Sequence, residues 1–378
     1  MHTKDIAIIG GGIAGLTLAI CLKGSRFKCH IFEKNPEFRE IGVAISLFPN
    51  ALRVLKQLGL LPEVVEIGSA ITRIFMKTDK GRILAQTEPR YQLPALGMLR
   101  TDLYAILLKH AEATFYPNHT LESFESTGDG KVKLSFNNGE SRMFDALIGA
   151  DGINSVVRQG IMNDGKPVFR GYNMWRGIAA SNSEIHYASE SYGKGKRVGI
   201  VPLPDGRYGW WATLNEKFMA DDEPEGTKPK LQRLFGYWHH PISELIAKSD
   251  YIVKDSLSDR IPVRGWTRGN CTLIGDAAHP TTPNLGQGGC LAIEGAYLLG
   301  EIMRKYGITD TAFQLYESIQ FPRAKSIVDD SLMLGKMGQW ENSMAVILRN
   351  MALAVAPQSI TLKVIDKYFL QDVTSLKI

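Results

Sequence analysis

Three glycine-bearing segments hold the residues of this sequence best suited to chemistry on a large anionic ligand. The first is Gly10-Gly11-Gly12-Ile13-Ala14-Gly15, a GxGxxG pattern between an apolar stretch, Asp5 to Ile9, and a helical repeat, Ile13 to Lys23. In such a turn Gly10 permits the sharp reversal, Gly12 lets backbone approach a pyrophosphate, and Gly15 allows close helix–strand packing. The helix N-terminus that follows favours the anion. Glu33 closes the next apolar strand, Cys29 to Glu33, where a carboxylate accepts hydrogen bonds from ribose hydroxyls. Strand, turn, helix, strand and acid in that order read as a dinucleotide-binding unit; a glycine-rich turn without a ligand is the alternative. The second segment, Gly149-Ala150-Asp151-Gly152, follows the short apolar strand Ala146 to Gly149. The third, Gly275-Asp276-Ala277-Ala278-His279-Pro280, follows Cys271 to Ile274 and runs on to Gly286-Gln287-Gly288-Gly289. Asp276 is placed to accept hydrogen bonds from a polyol, or else caps or stabilises its own loop. The later glycines precede an apolar helix and offer unhindered N–H groups at a positive dipole end, or form an ordinary helix-leading turn.

Other side chains are more ambiguous. Arg100 suits an anion but equally a surface loop, and Arg158 reads as an anion partner or as a solvated cation near a helix end. His279 is tempting as an acid or base. Between Asn173 and Leu214 several strands carry Trp175, Arg176, Arg197, Tyr208, Trp210 and Trp211, flat apolar surface with two cations, as a pocket wall for an aromatic ring requires. Alternation sends about half of these to the far face. The catalytic side chain stays unassigned; Arg176, Arg197, Tyr208 and Trp210 are the substrate-pocket candidates.

The elements that must position these residues follow from periodicity. Beyond the first βαβ unit and a loop through Ile41-Gly42-Val43, Pro49 opens a helix that Gly59 ends. Residues 71–87 form a ribbon around Asp79-Lys80-Gly81, and Thr101 caps a helix from Asp102 to Ala113 with Leu103, Ile106, Leu107 and His110 on its core face. Asn138-Gly139 turns a hairpin. Asp221 to Lys230 reads as an exposed loop before helices at 231–238 and 241–247, and long helical patterns occupy 311–369. Within the last of these, Met344 to Lys367 is expected to pack as an amphipathic core helix, the alternatives being a partner subunit or a membrane surface.

Composition narrows the field. The 378 residues, 44% of them hydrophobic, are enough for two interlocked domains. Against 39 acids the 44 Lys and Arg give only +5, and the densest basic run, Lys194-Gly195-Lys196-Arg197, is short, so no nucleic acid partner is expected. Cys21, Cys29, Cys271 and Cys290 lack CxxC spacing and the 8 His include no HExxH, so neither a metal nor a disulfide frame is expected. No uninterrupted apolar run reaches membrane-spanning length. A soluble protein of the reducing cytoplasm is the expectation.

The three glycine segments, in this order, resemble the GxGxxG, DG and GD motifs of single-component FAD-dependent aromatic hydroxylases of the para-hydroxybenzoate hydroxylase-like class. Ile45-Ser46-Leu47-Phe48-Pro49-Asn50-Ala51, Arg100-Thr101-Asp102-Leu103, Gly195-Lys196-Arg197, Thr282-Pro283-Asn284-Leu285-Gly286-Gln287-Gly288 and Gly338-Gln339-Trp340-Glu341 resemble the branch with salicylate, alkylquinolone and urate hydroxylases. Arg176 and Gly209 stand where urate hydroxylases carry Asn and Tyr, which counts against urate. The resemblance implies an α/β fold: a Rossmann-like FAD-binding domain (1–70, 98–170 and 265–305), an interleaved, mainly antiparallel β-sheet substrate domain (71–97 and 171–264), and a C-terminal helical region (306–378). It implies tightly but non-covalently bound FAD, held through Gly10, Gly12, Ile13, Ala14, Gly15, Glu33, Lys34, Arg100, Asp151, Gly275, Asp276, Pro283, Gly286, Gln287, Gly288 and Gly289. By that similarity Glu33 holds the adenosine ribose, Arg100 the pyrophosphate or ribityl region and Asp276 a ribityl hydroxyl. The implied activity is hydroxylation of an aromatic or heteroaromatic small molecule through a flavin C4a-hydroperoxide, with O2 and transiently bound NADH or NADPH. An antibiotic-inactivating or epoxidising oxygenase, including tetracycline inactivation, and an oxygen-independent FAD reductase or carrier protein are the alternatives.

Overall fold

In the computed structural model, which describes residues 3–38, 43–181, 185–222 and 224–378, a parallel sheet and a larger, mainly antiparallel sheet face each other across a cleft. The first unit is β1 (Lys4–Ile9), α1 (Ile13–Leu22) and β2 (Phe27–Phe32), with β1 parallel to β2. Every residue of α1 is buried, so this helix lies within the core rather than on its surface. Ile41 and Gly42 of the expected loop lie outside the described residues. Then come β3 (Ala44–Leu47), α2 (Pro49–Gln57), α3 (Leu61–Glu66) and β4 (Ser69–Ile71), followed by β5 (Ile74–Thr78) and β6 (Ile83–Thr87), the expected ribbon.

β7 (Ala95–Leu99) runs directly into α4 (Arg100–His110). Thr101 therefore lies inside the first turn and does not cap it; the N-cap position is Leu99. The helix also stops at His110, which is half-buried and paired with Glu63 of α3 rather than set in the core. β8 (Thr114–Tyr116) joins the parallel sheet beyond β2. β9 (Leu121–Ser126), β10 (Val132–Phe136) and β11 (Ser141–Phe144) make a separate meander, with Gly139 at φ +82° in the expected hairpin turn. β12 (Ala146–Gly149) then returns to the parallel sheet beside β1, and α5 (Val156–Met162) follows it.

The pocket wall comes from β13 (Val168–Ala180), β14 (Ala188–Tyr192), β15 (Lys196–Pro202) and β16 (Arg207–Asn215). On its far face α6 (Thr227–Phe235) and α7 (Ile242–Lys248) close a second core around Trp175, Tyr208, Trp210 and Phe235. The loop before α6 is exposed at Asp221, Pro224 and Glu225, as expected, but Asp222 turns inward. Asp222 is buried and accepts hydrogen bonds from Trp175 Nε1 at 2.9 Å, Thr227 Oγ1 at 2.8 Å and Lys230 Nζ at 3.1 Å, with Lys254 as a further partner. Burial opposes its charge, but these donors prevail and hold the carboxyl at about 2.

β17 (Ile252–Asp259) completes a seven-stranded sheet in the order β17-β13-β16-β15-β14-β5-β6, antiparallel except for β14 against β5. β18 (Cys271–Leu273) completes the parallel sheet, β18-β12-β1-β2-β8. α8 (Gly288–Tyr306), α9 (Asp310–Gly338), α10 (Ser343–Val355) and α11 (Gln358–Phe369) end the chain. α10 is not the core helix expected of its sequence. It is tied down by the buried Arg349, which donates to the carbonyls of Met337 and Gly338 (both 3.2 Å) and Gly193 (3.3 Å), while most of its apolar side chains face outward. α11 is anchored by its end, where Phe369 stacks on Phe48 with ring centroids 4.1 Å apart.

Candidate active site

The carboxyl ends of β1 and β12, the N-termini of α1 and α8, and one face of the seven-stranded sheet meet around a cavity of about 410 Å³. This is where an open parallel sheet places a ligand. Gly10, at φ +106°, occupies backbone space that L-residues rarely enter, and a Cβ there would come within 2.3 Å of the Ala150 carbonyl oxygen. A Cβ on Gly15 would come within 2.2 Å of the Gly10 oxygen, so the two outer glycines are steric necessities of the turn. Gly12 is different, because a Cβ there meets nothing within 4 Å and the residue opens onto the cleft with Ile13 and Ala14. No side chain caps α1 and its first turn carries no acid, so its N–H groups are presented to whatever lies above.

Of the other expected cofactor residues, Arg100, Asp276, Pro283, Gly286, Gly288 and Gly289 line the same cavity. Gly288 and Gly289 begin α8 directly and no side chain caps that helix either. Gln287, Gly275 and Asp151 stand behind the lining. Gln287 is fully buried and accepts from Asn50 Nδ2 at 2.9 Å. The Asp151 carboxylate accepts from the backbone N–H groups of Val156 (2.7 Å) and Val157 (3.3 Å), so it shapes the turn that presents Ala150 and Gly152 to the cavity. Burial pushes its pKa upward against those donors. Glu33 and Lys34 lie beyond the cavity, past the end of β2. Glu33 accepts from the Gly11 N–H at 3.0 Å and, with its other oxygen, from the N–H and side-chain amide of Asn35 at 3.0 and 2.8 Å. An anion-presenting helix end, a glycine open to the cleft and a second uncapped helix across it fit FAD.

The opposite wall corrects the expected substrate set. Alternation along β16 turns Tyr208 away from the cavity into the second core, where its hydroxyl accepts from the Ile185 N–H at 3.0 Å. Trp210 borders the cavity, but its indole packs in that same core and Nε1 donates to Ser249 at 2.7 Å. Met174, Arg176, Val201, Gly209 and Trp211 form the cleft side. Arg176 is held by an ion pair with Asp255. Arg197 is buried, and its guanidinium donates to Glu190 at 2.9 Å, Asn284 at 2.8 Å and Gln339 at 3.0 Å. Burial opposes its charge, yet Glu190 and the phenols of Tyr172 and Tyr192 outweigh that effect and raise its pKa. Glu190 in turn accepts from the Tyr192 hydroxyl at 2.6 Å.

Glu190 and Asn284 were not singled out as site residues by sequence reasoning, whereas Trp211 was placed in the aromatic wall though not among the four pocket candidates. Asn284 lay within a quoted motif, whereas Glu190 gives no signal in the chain because its cationic partner Arg197, seven residues on, reaches it only through the pairing of β14 with β15. Arg158 was also undervalued. It is not solvated but buried, clamped by Asp164 at 2.6 Å and donating to the carbonyls of Ala277 and Ala278 at 3.0 and 2.6 Å, which fixes the loop carrying Asp276. His279 is buried beside Trp266 in that loop, and burial depresses its pKa to about 4.

Residues 3–331 match the FAD binding domain family. The aurachin C monooxygenase/isomerase of Stigmatella aurantiaca is 33% identical over 355 residues, covering 91% of this chain and 92% of its own. The 3-amino-4-hydroxybenzoate 2-monooxygenase of Streptomyces cremeus is 31% identical over 337 residues, covering 85% and 84%. The crystal structure of Klebsiella pneumoniae HpxO complexed with FAD and uric acid has the same fold, with a TM-score of 0.89 at 24% identity over 97% of each chain. The three glycine motifs, the cleft they border and the match over most of the sequence agree: the chain belongs to the FAD binding domain family, among the FAD-dependent aromatic hydroxylases.

Proposed function

We propose that the protein is an FAD-dependent, NAD(P)H-consuming monooxygenase for an electron-rich aromatic or heteroaromatic small molecule carrying an acidic or hydrogen-bond-accepting substituent. The observation that carries this reading is the cavity itself, with the uncapped N-terminus of α8 on one side and Trp211, Arg176 and Arg197 on the other. Bound FAD supplies the redox chemistry, accepting a hydride from NAD(P)H and activating O2 for transfer of one oxygen atom. The residues of this chain orient and shield that chemistry.

Backbone N–H groups at Gly288 and Gly289 stabilise negative charge on a reduced ring. Ile45, Met174, Val201 and Trp211 give the cavity an apolar lining that limits the access of water to the reacting atoms. Trp211 offers a flat face for an aromatic ring, while Arg176 and Arg197 attract its acidic or carbonyl edge. Three cations against Glu190 and Asp276 leave the lining net positive, which favours an anionic or acidic substrate. Glu33 accepts ribose hydroxyls and Asp276 a ribityl hydroxyl.

The test is anaerobic reduction of the FAD-loaded protein by NADH and by NADPH in the presence of aurachin C, 3-amino-4-hydroxybenzoate, urate, salicylate and a tetracycline, then exposure to 18O2. Faster reduction with one ring class and one 18O atom in its product bears out the reading; flavin reduction with no oxygenated product from any of them favours an oxygen-independent reductase. Arg197→Gln should retain FAD and raise the substrate KM by about tenfold or more, since loss of a charged hydrogen bond costs about 1.5–3 kcal/mol. Unchanged KM with normal coupling of NAD(P)H to product would remove Arg197 from substrate binding.

A further inference from the structure

The outward face of α10 inverts the usual pattern of a soluble helix. Met344, Ile347, Leu348, Met351 and Val355 are 74, 57, 62, 58 and 76% exposed, and their spacing puts all five on one side of the helix. The one charged residue of α10, Arg349, points inward and is buried. From Asn342 to Ile365 the chain contains no Asp or Glu. The acids at either end of this stretch are engaged elsewhere, Glu341 with Asn215 Nδ2 at 2.9 Å and Asp366 with the Tyr91 hydroxyl at 2.6 Å. Cations flank the face: Lys194 is exposed and donates to Ser343 Oγ at 2.9 Å at the start of α10, and Lys363 is exposed on α11. Trp340, 36% exposed, sits just ahead of the helix.

We propose that α10 docks the enzyme peripherally on a lipid bilayer containing anionic headgroups, the apolar stripe entering the acyl boundary and the lysines contacting the headgroups. An apolar stripe with basic flanks and an interfacial tryptophan is the composition of a helix that lies in a membrane surface. Neither α10 nor α11 alone is long enough for a span. The 13 residues of α10 measure about 20 Å against about 30 Å of hydrocarbon, and a bend of 96° separates α10 from α11. A second copy of the chain is the poorer occupant, because a two-fold contact sets identical patches together and this stretch supplies no carboxylate to meet the duplicated lysines. The docking face is also rigidly tied to the cleft, since Gln339, four residues before α10, accepts from Arg197 Nε at 3.0 Å. The inference stands apart from the identity of the substrate.

The experiment is co-sedimentation of the FAD-loaded protein with vesicles of phosphatidylcholine alone and of phosphatidylcholine mixed with phosphatidylglycerol. The intact protein should partition onto the mixed vesicles, less so at high salt. The double variant Ile347→Glu/Leu348→Glu should lose about tenfold or more of that partitioning while keeping its flavin absorbance and Tm. Failure of the intact protein to sediment with either vesicle, or undiminished binding by the variant, overturns the proposal. So does a dimer in sedimentation velocity that the variant converts to monomer, which would assign the face to a second copy.

Discussion

Arg158 shows how much a single residue can hide in a sequence. Its neighbours in the chain are compatible with a solvated cation, and only the fold brings Asp164 and the carbonyls of Ala277 and Ala278 around it. Removing the guanidinium leaves the Asp164 carboxylate with only its longer contact to Arg260, 3.4 Å, and unpins the loop that carries Asp276. Arg158→Met should therefore cost about 3–5 kcal/mol of stability and weaken FAD retention, read as a lower Tm and a higher FAD Kd in flavin titration. A variant with wild-type Tm would show the clamp to be dispensable. The glycines behave oppositely. Gly10, Gly12 and Gly15 were legible because backbone sterics at a strand-to-helix turn leave few solutions, whereas Glu190 and Asn284 became visible only when β14 and the loop after β18 were seen to converge on Arg197.

At the scale of elements, periodicity located the strands and helices but not how their ends are used. Thr101 looked like a cap because its residue type suits one, yet β7 feeds straight into α4 and leaves no turn to cap. Strand alternation likewise warned that half of the aromatic wall would face away, without saying which half; the pairing of β13 with β16 decided it, sending Trp175, Tyr208 and Trp210 to α6 and α7 and Trp211 to the cleft. The start of α8 is where an element acts as a chemical group. Gly288 has room for a side chain, since a Cβ there meets only Thr281 Cγ2 at 3.6 Å. Gly288→Asp should leave the fold intact and set a carboxylate against the ring, lowering the two-electron potential of bound FAD by about 20–40 mV, the equivalent of about 1–2 kcal/mol. Spectroelectrochemical titration reads this directly, and an unchanged potential would detach the helix terminus from the redox site.

For the whole molecule, acid should act in two stages. His279 is neutral and buried in the native state with a pKa near 4, against an ordinary 6.5, so the unfolded chain takes up its proton first. The resulting stability is complete above about pH 6.5 and is lost progressively toward pH 4, a difference of about 3 kcal/mol. Asp222, held at about 2 against an ordinary 3.8, adds a further loss below that range. His279→Gln should flatten Tm against pH between 6.5 and 4 while keeping the fall at lower pH, and a variant with the wild-type slope would rule His279 out as the source. The general plan of a nucleotide sheet interrupted by a second sheet was legible, because the buried run Ala146 to Gly149 reappears after more than a hundred residues of other patterning. The outward apolar face of α10 was not, since a sequence with helical period looks the same whether its stripe meets a core or faces out. The placement of β12 between β1 and β18 also bears on biosynthesis. The parallel sheet cannot be completed until residues 271–273 have left the ribosome, by which point the whole seven-stranded sheet has been made. Until then β12 lacks its outer neighbour, and a nascent chain stalled before that point would present an unpaired apolar strand edge to chaperones and to other chains.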